Sequence, residues 1–370
     1  MSEKFFIPSI AKDQIGPKIG LSQERTEQQA ERREAGDSLS HYIFKWWRGD
    51  AHTHSKESTR AGYNYAEGIY NLEEIMDYYK SLGLEFVCFT EHASQPGSPK
   101  RQNIDSDISQ SLLGEAARIN QMNRERKDIM ALSGVEANIL FDEHNQPILD
   151  LPDDILQKLD LVIASRHSID QEKEVEAIKD SLLCAIKNPH VDVIGHPDRY
   201  TREDQEKSTK EAKEQYWQAY WNIWPEILQE MVNNNKAFEI NLNCPPAKKL
   251  IEMAALSGVK FFINYDAHDF NQYKKEETEL TKSGEKAKEK WSKGEDSEEI
   301  SEILKEYKTE RLSAGPGYKA ISVLVRWLKR LESLEVTPAR VVNSSRKNLL
   351  DFLTEDRGKK TENLDFLQSV

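Results

Sequence analysis

Apolar residues along this chain fall into short runs that each end in a polar burst, and between the runs they recur every three to four positions. Phe86-Val87-Cys88-Phe89 leads into Glu91-His92, Leu161-Val162-Ile163-Ala164 into Arg166-His167, Val193-Ile194-Gly195 into His196-Pro197-Asp198, and Phe261-Phe262-Ile263 into Asp266-Ala267-His268. Near-continuous apolar runs of this length predict strands buried on both faces. Ile69, Leu72, Ile75, Met76, Tyr79 and Leu82 repeat instead at helical spacing and stop at Gly83, the pattern of an amphipathic helix with a glycine just past its end. The same periodicity predicts further helices over residues 109–127, 172–187, 212–235, 247–257 and 317–332, and strands ending near His54, Glu91, Glu136, His167, His196, Asn241 and Asp266.

Strands separated by helical spacers are the signature of a parallel α/β sheet. With seven of them, the expected architecture is a distorted seven-stranded (βα) TIM-like barrel. Val336 to Val342 is too short, and interrupted by Pro338, to count as an eighth strand. Three segments stand apart by composition. Residues 1–42 form a polar arm, the barrel domain spans 43–353 with a highly charged insertion at about 271–312, and 354–370 is expected to be a C-terminal tail.

Composition narrows the choice of partners. The chain of 370 residues carries a formal net charge of -13, which argues against a nucleic-acid partner held mainly through phosphates. It leaves room for a small phosphorylated substrate, because a metal cluster reverses the local potential. No apolar stretch approaches the length of a membrane span, and Met1 to Ile10 lacks the pattern of a signal peptide. Cys88, Cys184 and Cys244 show no CxxC spacing and read as reduced packing residues. A cytoplasmic location is the expectation.

Six of the nine histidines lie in the polar bursts: His52, His54, His92, His167, His196 and His268. In a closed parallel barrel the strand C-termini converge on one face, where such folds build their active sites. Imidazole and carboxylate together suit zinc, manganese or iron, and the lack of thiolates disfavours a closed structural zinc site. The pair His52 and His54 shares a face because strand residues two apart point the same way, and Asp266 and His268 repeat that spacing. Glu136 closes the apolar run from Ile129 to Val135, where a carboxylate is costly to bury unless a cation compensates it. Any one of these residues alone is ordinary; the ensemble points to metal-dependent hydrolysis. Asn241 and Asn243 end the sixth strand without an evident task, and Tyr216, Trp217, Tyr220, Trp221 and Trp224 repeat at helical spacing as core residues do.

These residues resemble the PHP family, the polymerase and histidinol phosphatase domain, from His52 to about His268. The motifs carrying the resemblance are Gly49-Asp50-Ala51-His52-Thr53-His54, Phe89-Thr90-Glu91-His92, Gly134-Val135-Glu136-Ala137-Asn138, the strand leading to His167, Ile194-Gly195-His196-Pro197 and Asp266-Ala267-His268. The resemblance implies a barrel of the PHP type with a site for two to three divalent ions of zinc, manganese or iron. By that similarity His52, His54, Glu136 and Asp266 hold one ion, Glu136 bridges to a second held by His167 and His196, and His92 and His268 hold a third. Where the family places a further histidine, this chain has Arg60. A guanidinium stays protonated and cannot ligate a metal, so Arg60 either neutralises a bound phosphate or faces solvent. Arg166 and Arg199 are the other candidate phosphate-binding cations.

The implied activity is that of a phosphomonoesterase similar to histidinol phosphatase, acting on a small phosphorylated metabolite by attack of metal-activated hydroxide. Glu136, His92 and His268 are the candidate catalytic groups. Two other functions remain open at this point: a phosphodiesterase or 3′-5′ nuclease of the same family, and a non-catalytic barrel that binds metal and phosphate.

Overall fold

The computed structural model describes residues 41–59, 68–93, 106–167, 175–199, 209–268 and 318–369. Arg60, the N-terminal arm to residue 40 and the charged insertion from residue 271 onward lie outside the described residues. A helical turn at 41–46 (α1) buries Ile43 and Trp46 ahead of the first strand. From there the elements run β1 Gly49–Thr53, α2 Leu72–Ser81, β2 Phe86–His92, α3 Ser106–Glu125, β3 Met130–Phe141, β4 Pro147–Leu149, α4 Asp153–Leu156 and β5 Leu161–Ser165. They continue with α5 Val175–Lys187, β6 Val193–Gly195, α6 Lys210–Asn233, β7 Ala237–Asn241, α7 Lys248–Ser257 and β8 Lys260–Asn264. Seven strands pair in parallel in the order β1-β2-β3-β5-β6-β7-β8, with a helix in every crossover, and β4 lies antiparallel on β3.

The two edges of this sheet meet. Thr53 bridges Ala267, with His54 N donating to Ala267 O at 2.9 Å and Ala267 N to His52 O at 3.2 Å. Lower down, side chains close the seam. Asn343 donates to Gly49 O and Ile263 O at 2.9 and 2.6 Å and accepts from Ile263 N at 3.0 Å, while Asn264 accepts from Ala51 N at 3.0 Å. An asparagine amide presents one donor group and one acceptor, so Asn343 completes a ladder that no strand occupies. Pro338 to Ser344 accordingly forms two 3-10 turns and one bridge, Val341 to Phe261, and no eighth barrel strand.

Two boundaries differ from the sequence expectation, each for a local reason. Helix α2 begins at Leu72 and not near Ile69, because Asn71 accepts from Glu74 N while Glu74 accepts from Asn71 N, both at 2.8 Å. That capping box sets the helix start and leaves Ile69 exposed. Strand β3 does not end at Glu136. It runs on to Phe141 because the chain finds a new partner above the barrel, the hairpin with β4 that pairs Ile139 with Leu149 and Phe141 with Pro147.

Alternation along the strands sorts the interior. On β3, Met130 and Leu132 face inward and belong to an apolar cluster with Phe86, Leu161, Val193, Ala237 and Phe262; Glu136 and Asn138 continue the same face upward. The register between β1 and β2 shifts by one residue between Asp50 and Thr53, a bulge that re-aims the side chains following it. The lower half of the barrel is therefore an apolar core and the upper half a polar site.

Of the segment expected as a C-terminal tail, residues 354–369 pack against that lower half. The helix Glu362–Ser369 buries Leu364 and Leu367 in the inner cluster. Asp192, at the foot of β6, pairs with Arg357 Nε at 3.1 Å and Lys359 Nζ at 3.0 Å. Asp160, at the foot of β5, accepts from Asn363 at 2.7 Å and from Thr361. An acidic residue placed just before an apolar strand thus holds the C-terminal segment against the barrel floor.

Candidate metal centre

Glu136 is at the focus of the upper half. Its Oε2 lies 3.3 Å from His52 Nε2, 3.6 Å from His54 Nε2 and 3.1 Å from His92 Nδ1. Its Oε1 lies 3.2 Å from His167 Nε2 and 2.8 Å from His196 Nε2. One buried carboxylate therefore addresses five imidazoles, three through one oxygen and two through the other. Asp266 Oδ1 approaches His52 Nε2 at 3.6 Å, His54 Nε2 at 3.4 Å and His268 Nδ1 at 3.5 Å. The six histidines, Glu136 and Asp266 are thus brought together from the ends of β1, β2, β5, β6 and β8 and from the upper part of β3.

Three groups have ligand atoms within 4.8 Å of one another: His52, His54 and Glu136; His92, Glu136 and His167; and His54, His92 and His268. The last was not anticipated. It places His54, whose ring stacks on His92 at 4.4 Å and on His268 at 4.2 Å, beside the pair read as an incomplete third site. His54 is buried, yet neither ring nitrogen has a hydrogen-bond partner among the described residues, and the same holds for His196 Nδ1. Buried polar atoms left unsatisfied are costly. A sulfur-free set of lone pairs converging from several strands fits a divalent transition metal.

Charge is arranged to match. Burial alone would raise Glu136, but His167, His52 and His92 outweigh it and hold the carboxyl well below its usual range. Asp266 behaves in the same way, burial being overcome by His52 and His268. Burial works against a charged His52, yet Glu239, Glu136 and Asp266 raise it well above the ordinary imidazole value. His54 goes the other way, lowered well below that value by burial and by its neighbours His268 and His92. Burial brings His167 down to about 4. Ionised Glu136 and Asp266 and neutral His54 and His167 are in the protonation states that metal ligands need, while the three carboxylates around His52 favour its charged form.

The supporting residues were largely missed from the sequence. Asn138 accepts from His167 Nδ1 at 2.5 Å and is itself held by Asp150, its side chain at 2.8 Å and its backbone N at 3.0 Å. Asn241 Nδ2 donates to Asp266 Oδ2 at 3.1 Å and Asn243 Nδ2 to Asp266 O at 3.0 Å, so the asparagine that ends β7 and the one two residues beyond it orient Asp266, whose φ is +56°. Glu239 takes the ring of His52 at 2.7 Å. A lone acid inside the apolar run Ala237 to Ile240 was the available signal, the same one that marked Glu136. Gly195 is required where it stands: a Cβ would come within 2.2 Å of Ser165 Oγ and 2.7 Å of Ile163 Cγ2.

Of the candidate cations, Arg199 reaches Asp266 Oδ2 at 3.5 Å and is partly exposed at the rim. Its neighbour Asp198 accepts from Ala247 N at 2.7 Å. Arg166 is buried, and burial lowers it to about 10 against the pull of Tyr220, Tyr216 and Asp198. Tyr220 and Trp224 of the aromatic stripe are buried in the core, as their spacing implied.

A nearly closed parallel barrel with a histidine and carboxylate cluster at its C-terminal mouth defines the class: an α/β barrel with a site suited to divalent metal. The PHP domain profile matches residues 50–243, more than half of the chain, and the protein belongs to the PHP domain family. It is 34% identical over 223 residues to a probable phosphatase of Thermoanaerobacter sp. (strain X514), covering 59% of this chain and 78% of that one. The DNA polymerase/3′-5′ exonuclease of Bacillus subtilis (strain 168) is 27% identical over 286 residues, covering 76% of this chain and 43% of that protein. Among solved structures, the histidinol phosphate phosphatase of Lactococcus lactis subsp. lactis, complexed with zinc, L-histidinol and phosphate, aligns with a TM-score of 0.40 at 24% identity, over 64% of this chain and 94% of that one. Among the described residues no helix is long and apolar enough to cross a membrane.

Proposed function

We propose that this protein is a metal-dependent phosphoesterase that hydrolyses the monoester of a small phosphorylated metabolite. The observation that carries the reading is Glu136, a buried carboxylate shared between two sets of imidazoles. Probable phosphatases among the relatives support it. His52, His54, Glu136 and Asp266 would hold one ion and Glu136, His167 and His196 a second, with His92 and His268, beside His54, available to a third. Bound divalent ions supply charge neutralisation at the phosphoryl oxygens and a lowered pKa for water.

The chain's own groups divide the remaining work. Glu136 stays anionic and keeps the two sets of imidazoles in register. When they do not hold a third ion, His268, partly exposed at the mouth, and His92, beneath it, would pass a proton to a departing alkoxide. Arg199, Arg166 and Arg60 are the cations we propose to meet a phosphate group. A net charge of -13 stands against extended contact with a nucleic-acid backbone.

The test is elemental analysis of protein purified without chelator, together with a screen of small phosphate esters and a 3′-recessed DNA. At least two transition-metal ions per chain and phosphate release from a monoester are expected, with Glu136→Gln losing both. Metal-replete protein that frees no phosphate, or that trims only the DNA, would overturn the proposal.

A further inference from the structure

Glu239 belongs to no ligand group, yet it touches two. It is fully buried on β7. Its Oε1 accepts from His52 Nδ1 at 2.7 Å and from Asn264 Nδ2 at 2.9 Å, and its Oε2 accepts from the backbone N of His196 at 2.7 Å. A proton kept on His52 Nδ1 leaves Nε2, on the side of Glu136 and Asp266, as the ring's ligand atom. At His196 the contact is to the main chain, where φ is +21°, a sparsely populated region for a residue with a side chain. The hydrogen bond to Glu239 holds that backbone in the conformation that carries Nε2 to Glu136.

We propose that Glu239 is a positioning residue that couples the two metal groups sharing Glu136: it sets His52 through its ring and His196 through its backbone, so the two groups are organised together. The inference rests on the proposal that these histidines are metal ligands. Asn138 offers the contrast, because the ligand ring it holds is that of His167. Glutamine at position 239 removes the charge that these donors share and turns its own NH2 toward one of them, and relieving that clash of donors moves the whole amide, so neither His52 nor His196 keeps its contact.

The experiment is calorimetric titration of the full chain, stripped with chelator, using Mn²⁺ and then Zn²⁺, with elemental analysis after dialysis. The parent should take up two or more ions. In Glu239→Gln both of the tightest steps should weaken, each by roughly 10- to 100-fold, while excess metal restores the full stoichiometry. A purely structural defect would instead lower the stoichiometry at every metal concentration and would overturn the assignment. So would a variant in which one step or neither is weakened. Should Glu239→Gln not fold, as judged by circular dichroism, Glu239→Asp carries the test. It keeps the buried charge but withdraws it by one methylene, too far to meet both partners, and parent-like binding by it would equally overturn the coupling. A parent that takes up no metal would refute the reading of the site itself, a different result from a parent that binds beside an unaffected variant.

Discussion

Asp192→Asn separates the part of this barrel that gives stability from the part that gives activity. Asp192 is fully buried at the foot of β6, the end opposite the metal centre. Its carboxylate faces Arg357 Nε at 3.1 Å and Lys359 Nζ at 3.0 Å and accepts from Val162 N at 2.8 Å. Asparagine preserves the shape and an acceptor for Val162 but removes the charge, leaving two buried cations without it. Breaking one side of a buried ion pair costs about 3–5 kcal/mol. Arg357 retains the carbonyls of Asn234, Pro189 and Val191, and Lys359 those of Leu159 and His190. The loss should therefore fall at the lower end, about 3 kcal/mol, which for a domain of this size lowers Tm by about 4–6 °C. Calorimetric melting of parent and variant measures it. Activity well below the transition should be unchanged, and adding Lys359→Met to Asp192→Asn should recover part of the loss, since the orphaned ammonium goes with it. A Tm within about 1 °C of the parent would refute the claim that this acid staples the C-terminal segment to the floor.

Three further outcomes follow from the same geometry. Asn138→Ala removes the partner of His167 Nδ1 and should weaken one metal-binding step by about 10- to 100-fold, read by competition with a fluorescent chelator; unaltered affinity would mean that His167 is oriented from elsewhere. Burial first, then Arg357 and Lys359, lower Lys236 to about 7 against the pull of Asp192. From there up to the ordinary lysine value of 10.5 the unfolded chain binds a proton that the folded one has shed, so stability should rise with pH across that window. Urea unfolding at pH about 7 and about 9 should show this rise, and Lys236→Met should flatten it. Arg60→Ala should raise KM for a phosphate ester with little change in kcat if the guanidinium grips the ground state, and Arg60→His should add up to one metal ion per chain; neither change would make Arg60 a solvent-facing residue.

What could be read from the sequence divides along the same physical line as the barrel itself. Strands buried on both faces leave a near-continuous apolar run, and the residue after the run is the one that reaches the mouth; His92, His167, His196 and Asp266 were legible for that reason. The hairpin of β3 and β4 was not, because Ile139, Leu140 and Phe141 continue the apolar run of β3 and no change of period marks the point where the partner changes. The seam was hidden for a related reason. Asn343 and Asn264 do the work of a backbone ladder with side-chain amides, and nothing in an asparagine's neighbours in sequence says that its partner lies about a whole domain away. Glu239 illustrates a limit of reading motifs. The search for ligands rewards residues at strand ends, whereas a residue that aligns ligands sits two positions earlier, inside the run, where an isolated acid looks like an exception to burial. Asp160 and Asp192 are the same kind of exception at the other end of their strands. Glu136, Glu239, Asp160 and Asp192 therefore mark two places, the layer that organises the metal centre and the floor that holds the C-terminal segment, and their position along the apolar run tells which.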